Sequence, residues 1–229
     1  MKDLIDPRDI GSCNRNKCLY IFDFKVSLSQ SKEILRVDPT GSVIRKWSTG
    51  KSYGFGLSVT YDSSVLLTVY NENKLIEYSP DGQLIREINL ASVAGIRDAY
   101  HAIKLMNGNF VVSHGDTRDD LHRVCIVDAE GKLKKSFGGK CGSTIGRMNR
   151  PFYLSVDGYG SVMVADEHNS RVLLLDSELN FKREILSKKE NQGLSVPRRI
   201  LLAESNNYCR LFVADNEANN QRILVFDCK

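Results

Sequence analysis

The sequence predicts an all-β fold, a β-propeller of repeated four-stranded sheets, on three observations. An apolar residue followed by Asp or Ser recurs at Val37-Asp38, Tyr78-Ser79, Val127-Asp128, Leu175-Asp176 and Phe226-Asp227, at intervals of 41, 49, 48 and 51 residues. That spacing fits the roughly 40–50-residue period of propeller blades, where a sandwich would place a strand about every 8–12 residues. Each copy lies within a series of short strand-like runs, and no segment sustains the periodicity of a helix.

The turns come first, because they fix where strands end. Asp38-Pro39-Thr40-Gly41, Ser79-Pro80-Asp81-Gly82 and Asp128-Ala129-Glu130-Gly131 follow three of the recurring pairs. Proline presets φ at the second turn position, and glycine accepts the positive φ that reverses the chain. A polar-rich strand follows each corner: Ser42 to Trp47, Gln83 to Ile88, Lys132 to Phe137 and, in the fourth copy, Phe181 to Ile185. Such a composition suits an outer strand half exposed to water.

Upstream of each pair lie the other strands, clearest in the last two copies. Inner strands are expected at Phe152 to Val156 and Arg199 to Ala203, opened by Pro151 and Pro197. Second strands are expected at Ser161 to Asp166 and Arg210 to Asp215, and third strands at Arg171 to Leu175 and Arg222 to Phe226. With the strand after the turn, this makes four antiparallel strands per unit, the content of one blade.

These residues resemble the NHL-repeat family. The stretch from Asn149 to Asp176 carries a proline-led strand at Pro151, an Asp-x-x-Gly turn at Asp157 to Gly160, the strand end Val164-Ala165-Asp166, and Asn169-Ser170-Arg171-Val172. The fifth copy keeps Pro197, Val213-Ala214-Asp215 and Asn220-Gln221-Arg222-Ile223, whereas the second has Thr68-Val69-Tyr70 and the third Val112-Ser113-His114 at the strand end. The resemblance implies one propeller domain over residues 1–229, in units of about 1–50, 51–95, 96–148, 149–195 and 196–229. Five inner regions but four outer strands can be counted. The expectation is therefore a five-bladed ring or part of a six-bladed one, the second being slightly favoured, with Lys2 to Ile5 the sole candidate for a strand donated to the fifth blade.

Composition bounds the function. Charged residues make up 26% and the net charge is +4, too small a bias to argue for nucleic acid by itself. The six cysteines contain no Cys-x-x-Cys, and Cys13 and Cys18 lack a second ligand pair at finger spacing, so reduced thiols are expected. No export signal, glycosylation acceptor or membrane-length apolar run is found, and the expected setting is the cytoplasm, with no membrane partner.

Little in the sequence points to catalysis. Phe137 to Thr144 only faintly suggests a phosphate loop, because Lys140 is followed by Cys141 and the earlier glycine position holds Lys134. No Gly-x-Ser-x-Gly elbow occurs. The stretch His114 to His122 combines imidazoles with carboxylates, and His114, Asp116 and His122 are its metal candidates; a solvated hairpin loop is the alternative, which the spacing favours. Asp166 and Asp215 are expected to be structural, accepting backbone N–H bonds from the turn that follows them. No cofactor is implied. Some six-bladed relatives are metal-dependent lyases or hydrolases, so a channel-site enzyme is the third functional expectation, with His101 its candidate.

In a propeller, the residues that open inner strands gather beside the channel mouth. Here they are Arg8, Tyr53, Phe55, Tyr100, His101, Arg150, Phe152, Arg198 and Arg199. Arginine with tyrosine or phenylalanine is the composition of protein-interface hot spots, and also of surfaces that stack bases and neutralise phosphates. Packing of the aromatics between blades, with solvated arginines, is the competing reading. The NHL resemblance implies a recognition platform for a protein partner, such as the substrate arm of a tripartite-motif ubiquitin ligase. Single-stranded RNA is the alternative. No RING-type zinc pattern accompanies it, so the expectation is a non-catalytic binding domain.

Overall fold

The computed structural model describes residues 4–24, 32–50, 53–90, 95–116, 121–190, 193–205, 208–217 and 220–227. They form five meandering antiparallel sheets, the blades of a β-propeller. The first blade is β1 (Pro7–Cys13), β2 (Cys18–Asp23), β3 (Glu33–Val37) and β4 (Val43–Ser48). The second is β5 (Gly54–Val59), β6 (Val65–Val69), β7 (Lys74–Tyr78) and β8 (Leu84–Asn89). The third is β9 (Ala99–Lys104), β10 (Phe110–His114), β11 (Leu121–Val127) and β12 (Leu133–Lys140). The fourth is β13 (Pro151–Val156), β14 (Val162–Asp166), β15 (Arg171–Leu175) and β16 (Phe181–Ser187). The fifth has three strands among the described residues, β17 (Pro197–Ser205), β18 (Tyr208–Glu217) and β19 (Asn220–Asp227). Of the proposed donor strand Lys2 to Ile5, Lys2 and Asp3 lie outside the described residues. No helix among the described residues is long and apolar enough to cross a membrane.

The predicted corners are Asx turns. The carboxylate of Asp38 accepts the N–H groups of Thr40 and Ser42, at 2.9 Å each. Asp128 and Asp176 repeat this with residues two and four further on, and the Ser79 hydroxyl does the same work in the second blade. The Asn180 amide, followed by backbone N–H groups and Lys182, holds the Asp176 carboxyl down at about 2. Such donors favour the charged form.

Two compact units can be distinguished by their internal contacts. One comprises residues 1–110 with 128–132, the other 111–127 with 133–229. In the first unit the core joins Tyr20, Phe22, Ile34, Leu57, Leu67, Val69 and Ile76, with Trp47 packed against it. Inner strands approach closely here: the buried Asp9 carboxylate accepts the Leu57 N–H at 2.7 Å, and the Ser58 hydroxyl donates to the Ala102 carbonyl at 2.7 Å. Gly56 permits this approach, because a Cβ there would stand 2.5 Å from the Tyr100 carbonyl oxygen. Lys104 on β9 reaches Glu77 on β7 at 2.7 Å and Asp62 at 2.8 Å, a largely buried ionic link.

In the second unit the core between β13 to β16 and β17 to β19 is built of Met163, Ala165, Val172, Leu186, Leu194, Ile200, Leu211 and Val213. Met163 with Ala165 in β14 and Leu211 with Val213 in β18 are spaced two apart, the period-2 signature of a face turned inward. Cys13, Cys18 and Cys125 are buried without a bridge, as packed thiols are, and burial pushes the Cys125 thiol up to about 11.

Candidate functional site

The inner strands share a detail that the sequence pattern did not show. Each of the four whose register is known slips by one residue at its second position. In β1 the pairs are Pro7 with Asp23, then Asp9 with Phe22, leaving Arg8 extruded. In β5 the extruded residue is Phe55, in β13 it is Phe152, and in β17 it is Arg198. A bulge leaves one residue outside the ladder and re-aims its side chain, a device common beside functional sites.

An aspartate faces the opening proline in three of these strands and locks the chain that leads into it. Asp23 accepts the N–H groups of Ile5 and Asp6, Asp166 that of Asn149 at 2.7 Å, and Asp215 those of Ser195 and Val196. The structural role holds, but the backbone donors lie before the inner strand and not in the following turn. Proline has no N–H of its own, so the aspartate bonds to the residues preceding it. An arginine completes the clip in the last two blades. Arg171 binds Asp166 at 2.7 Å and the carbonyls of Ser143 and Arg147, and Arg222 binds Asp215 and the Gly193 carbonyl. Burial leaves the Asp166 carboxyl above its usual range, against the pull of Asn169, Asn149 and Arg171.

In the first unit, the Arg8 guanidinium lies 4.9 Å from the Phe24 ring centroid and binds Asp6 at 2.8 Å. Lys32 sits 4.5 Å above Phe24 and 4.9 Å from the ring of Tyr53, which meets Phe24 edge-on at 4.4 Å. Burial lowers the Lys32 ammonium from its usual range, partly offset by Glu72. Tyr53 is 43% exposed, whereas Phe24 is buried. Phe55 packs with Tyr70 and Tyr100 at centroid distances of 5.4 to 5.5 Å, and Tyr100 is buried. His101 is buried as well, hydrogen-bonded to the Leu57 backbone, and burial pushes its imidazole down to about 3. It is a neutral core residue at physiological pH.

In the second unit, Arg150, Phe152 and Arg198 come together. The Arg198 guanidinium lies 4.8 Å and that of Arg150 5.4 Å from the Phe152 ring centroid. Both arginines meet Glu167, Arg198 through a 2.9 Å hydrogen bond from Nε to Oε1 and Arg150 at 3.3 Å from Oε2. Glu167 is 2% exposed and Phe152 6%, so a buried acid and a buried ring fix two cations. The exposed His168 adds a contact at 3.3 Å to Arg150 Nη1. The Arg150 backbone has φ +60°, and its N–H donates to His122 Nδ1 at 2.7 Å. Arg199 does not join Arg198. The two are consecutive in β17 but meet different rings, and Arg199 lies 5.5 Å from Tyr153, where burial lowers its guanidinium to about 10.

The metal candidates fare differently. His114 and His122 are both 1% exposed; Arg123 Nε donates to His114 Nε2 at 3.2 Å, and His122 is taken up by Arg150. Each of these ring nitrogens accepts from a protein donor, so its lone pair is not offered to a cation. Residues 117–120 of that stretch lie outside the described residues. Among the described residues no group of three or more His, Cys, Asp or Glu is placed to hold a metal ion.

Sequence reasoning missed Glu167, Phe24 and Lys32. No family model matches the chain, and no curated protein matches it. Solved structures do. A protein of unknown function from Bacteroides caccae aligns over 96% of this chain and 77% of its own, with 13% identity and a TM-score of 0.71. A chain of the nidogen/laminin complex aligns over 96% and 75%, with 14% identity and a TM-score of 0.68. Virginiamycin B lyase from Staphylococcus aureus aligns over 96% and 69%, with 15% identity and a TM-score of 0.64. At these identities the likeness shows the fold alone.

Proposed function

We propose that this chain is an NHL-like, non-catalytic recognition domain that binds a protein partner through the bulged openings of its inner strands. The observation that carries this reading is the assembly of Arg150 and Arg198 around Phe152, fixed from beneath by Glu167. Arginine on an aromatic ring, with its geometry held by a buried partner, loses little conformational freedom on binding. The Asp–Arg clips at Asp166–Arg171 and Asp215–Arg222 support the NHL-like reading, since they use the positions that define the resemblance. The nidogen/laminin neighbour shows the fold within a protein assembly. In the form the resemblance suggests, the domain would select substrates for a ubiquitin-ligase-type system.

RNA is the weaker reading on physical grounds. Base stacking needs open ring faces, and of the rim aromatics Phe152 at 6% exposure and Tyr100 at 2% offer none, so that Tyr53 at 43% is the exposed ring, and it belongs to the first unit and not to the Arg150 and Arg198 cluster of the second. A pull-down from lysate tests the choice. The wild-type chain should retain a protein after nuclease treatment, and Arg150→Ala with Arg198→Ala should release it. Capture that disappears with nuclease would favour RNA, and capture indifferent to both substitutions would remove this face from consideration.

A further inference from the structure

We infer that Arg198 is a receptor for an acidic side chain, aspartate or glutamate, of the partner protein; this rests on the recognition reading above. Arg198 uses its Nε on Glu167 Oε1, at 2.9 Å, and among the described residues no partner takes its two Nη groups. Its side chain is 37% exposed, although the ring of Phe152 lies 4.8 Å from the guanidinium and the buried carboxylate holds it at its root. A guanidinium so oriented presents a planar pair of donors, the geometry that a carboxylate fills with two parallel bonds.

Electrostatics point the same way. Arg150 and Arg198 both meet the one carboxylate of Glu167, so two guanidinium groups gather at a single buried acid. Two cations confined to one point suit a single carboxylate. A phosphate backbone would need a longer basic track. Glu167 sets the orientation, because its carboxylate already takes the Nε edge of Arg198 and leaves the Nη groups for a partner. The bulge at Arg198 is what turns the residue out of the β17 ladder, while its neighbour Arg199 packs on Tyr153.

Selection from a random dodecapeptide display library on the immobilised wild-type chain tests the inference. Enriched peptides should carry Asp or Glu, and replacing that residue by Asn or Gln should weaken binding about tenfold, the scale of one charge-assisted bond pair. Arg198→Ala should weaken the acidic peptide to the same degree and lose nothing further when the peptide's acid is also removed. Arg198→Lys, which keeps the charge but not the fork, should fall between, and circular dichroism of each variant shows whether it folds. Peptides that depend on Arg198 but carry no acid overturn this inference and leave the recognition reading standing. Peptides indifferent to both Arg150→Ala and Arg198→Ala, or no enrichment at all, overturn both. Tight binding of a single-stranded dodecanucleotide that is lost steeply with salt would likewise replace the acidic partner with nucleic acid.

Discussion

His101 shows how burial decides what a residue can do. As a histidine opening an inner strand it had the position of a channel ligand, yet the structure closes Gly56 and Leu57 over it. Its imidazole titrates near 3 when folded and near the ordinary value of about 6.5 when unfolded, so between those limits the unfolded chain binds the extra proton. Stability that is fully present above pH 6.5 should therefore decline as pH falls toward 3. Urea melts at pH 7, 5 and 4 should show that slope in the wild type and a shallower one in His101→Gln; equal slopes would contradict the burial account. Arg150, Phe152 and Arg198 were legible in the sequence because each stands beside a proline at a strand opening. Glu167 was not. It follows Val-Ala-Asp in a short 3-10 turn, and nothing in one copy of the repeat signals that an acid there will lie under two arginines.

At the scale of strands, the repeat made most of the architecture readable. The fourth and fifth copies fold where the pattern placed them, with β13 to β16 and β17 to β19 matching the expected strands to within a few residues. What escaped was the one-residue slip at Arg8, Phe55, Phe152 and Arg198. A bulge changes which face every preceding residue meets, but it leaves hydrophobic alternation nearly untouched, so pattern alone does not reveal it. Arg198 and Arg199 accordingly looked equivalent in sequence, yet one meets Phe152 and the other Tyr153. Gly56 belongs to the same account, since it lets β5 lie against β9. Gly56→Ala forces a methyl group against a carbonyl oxygen and should destabilise the chain by about 3 kcal/mol, as overpacking of a close backbone approach does. Thermal denaturation reads this directly, and a change below about 1 kcal/mol would mean that the strands can part at little cost.

For the molecule as a whole, the fold and the function stand on different footings. Repeats with aspartate clips and Asx corners specify a propeller, and solved propellers of 13–15% identity align along nearly the whole chain. The proposed recognition rests on a few side chains at strand openings, which fold likeness at that level does not transfer. Of the residues expected to line one rim, Arg8 lies with Phe24, Lys32 and Tyr53 within the first unit, and Arg150 and Arg198 lie with Phe152 and Glu167 within the second. The most direct test of the recognition claim is amide hydrogen exchange of the chain alone and saturated with the protein it captures. Binding should slow exchange at residues 149–153 and 196–199, which carry the arginine cluster. Protection confined to the outer strands β4, β8, β12 and β16, with those openings unchanged, would contradict it.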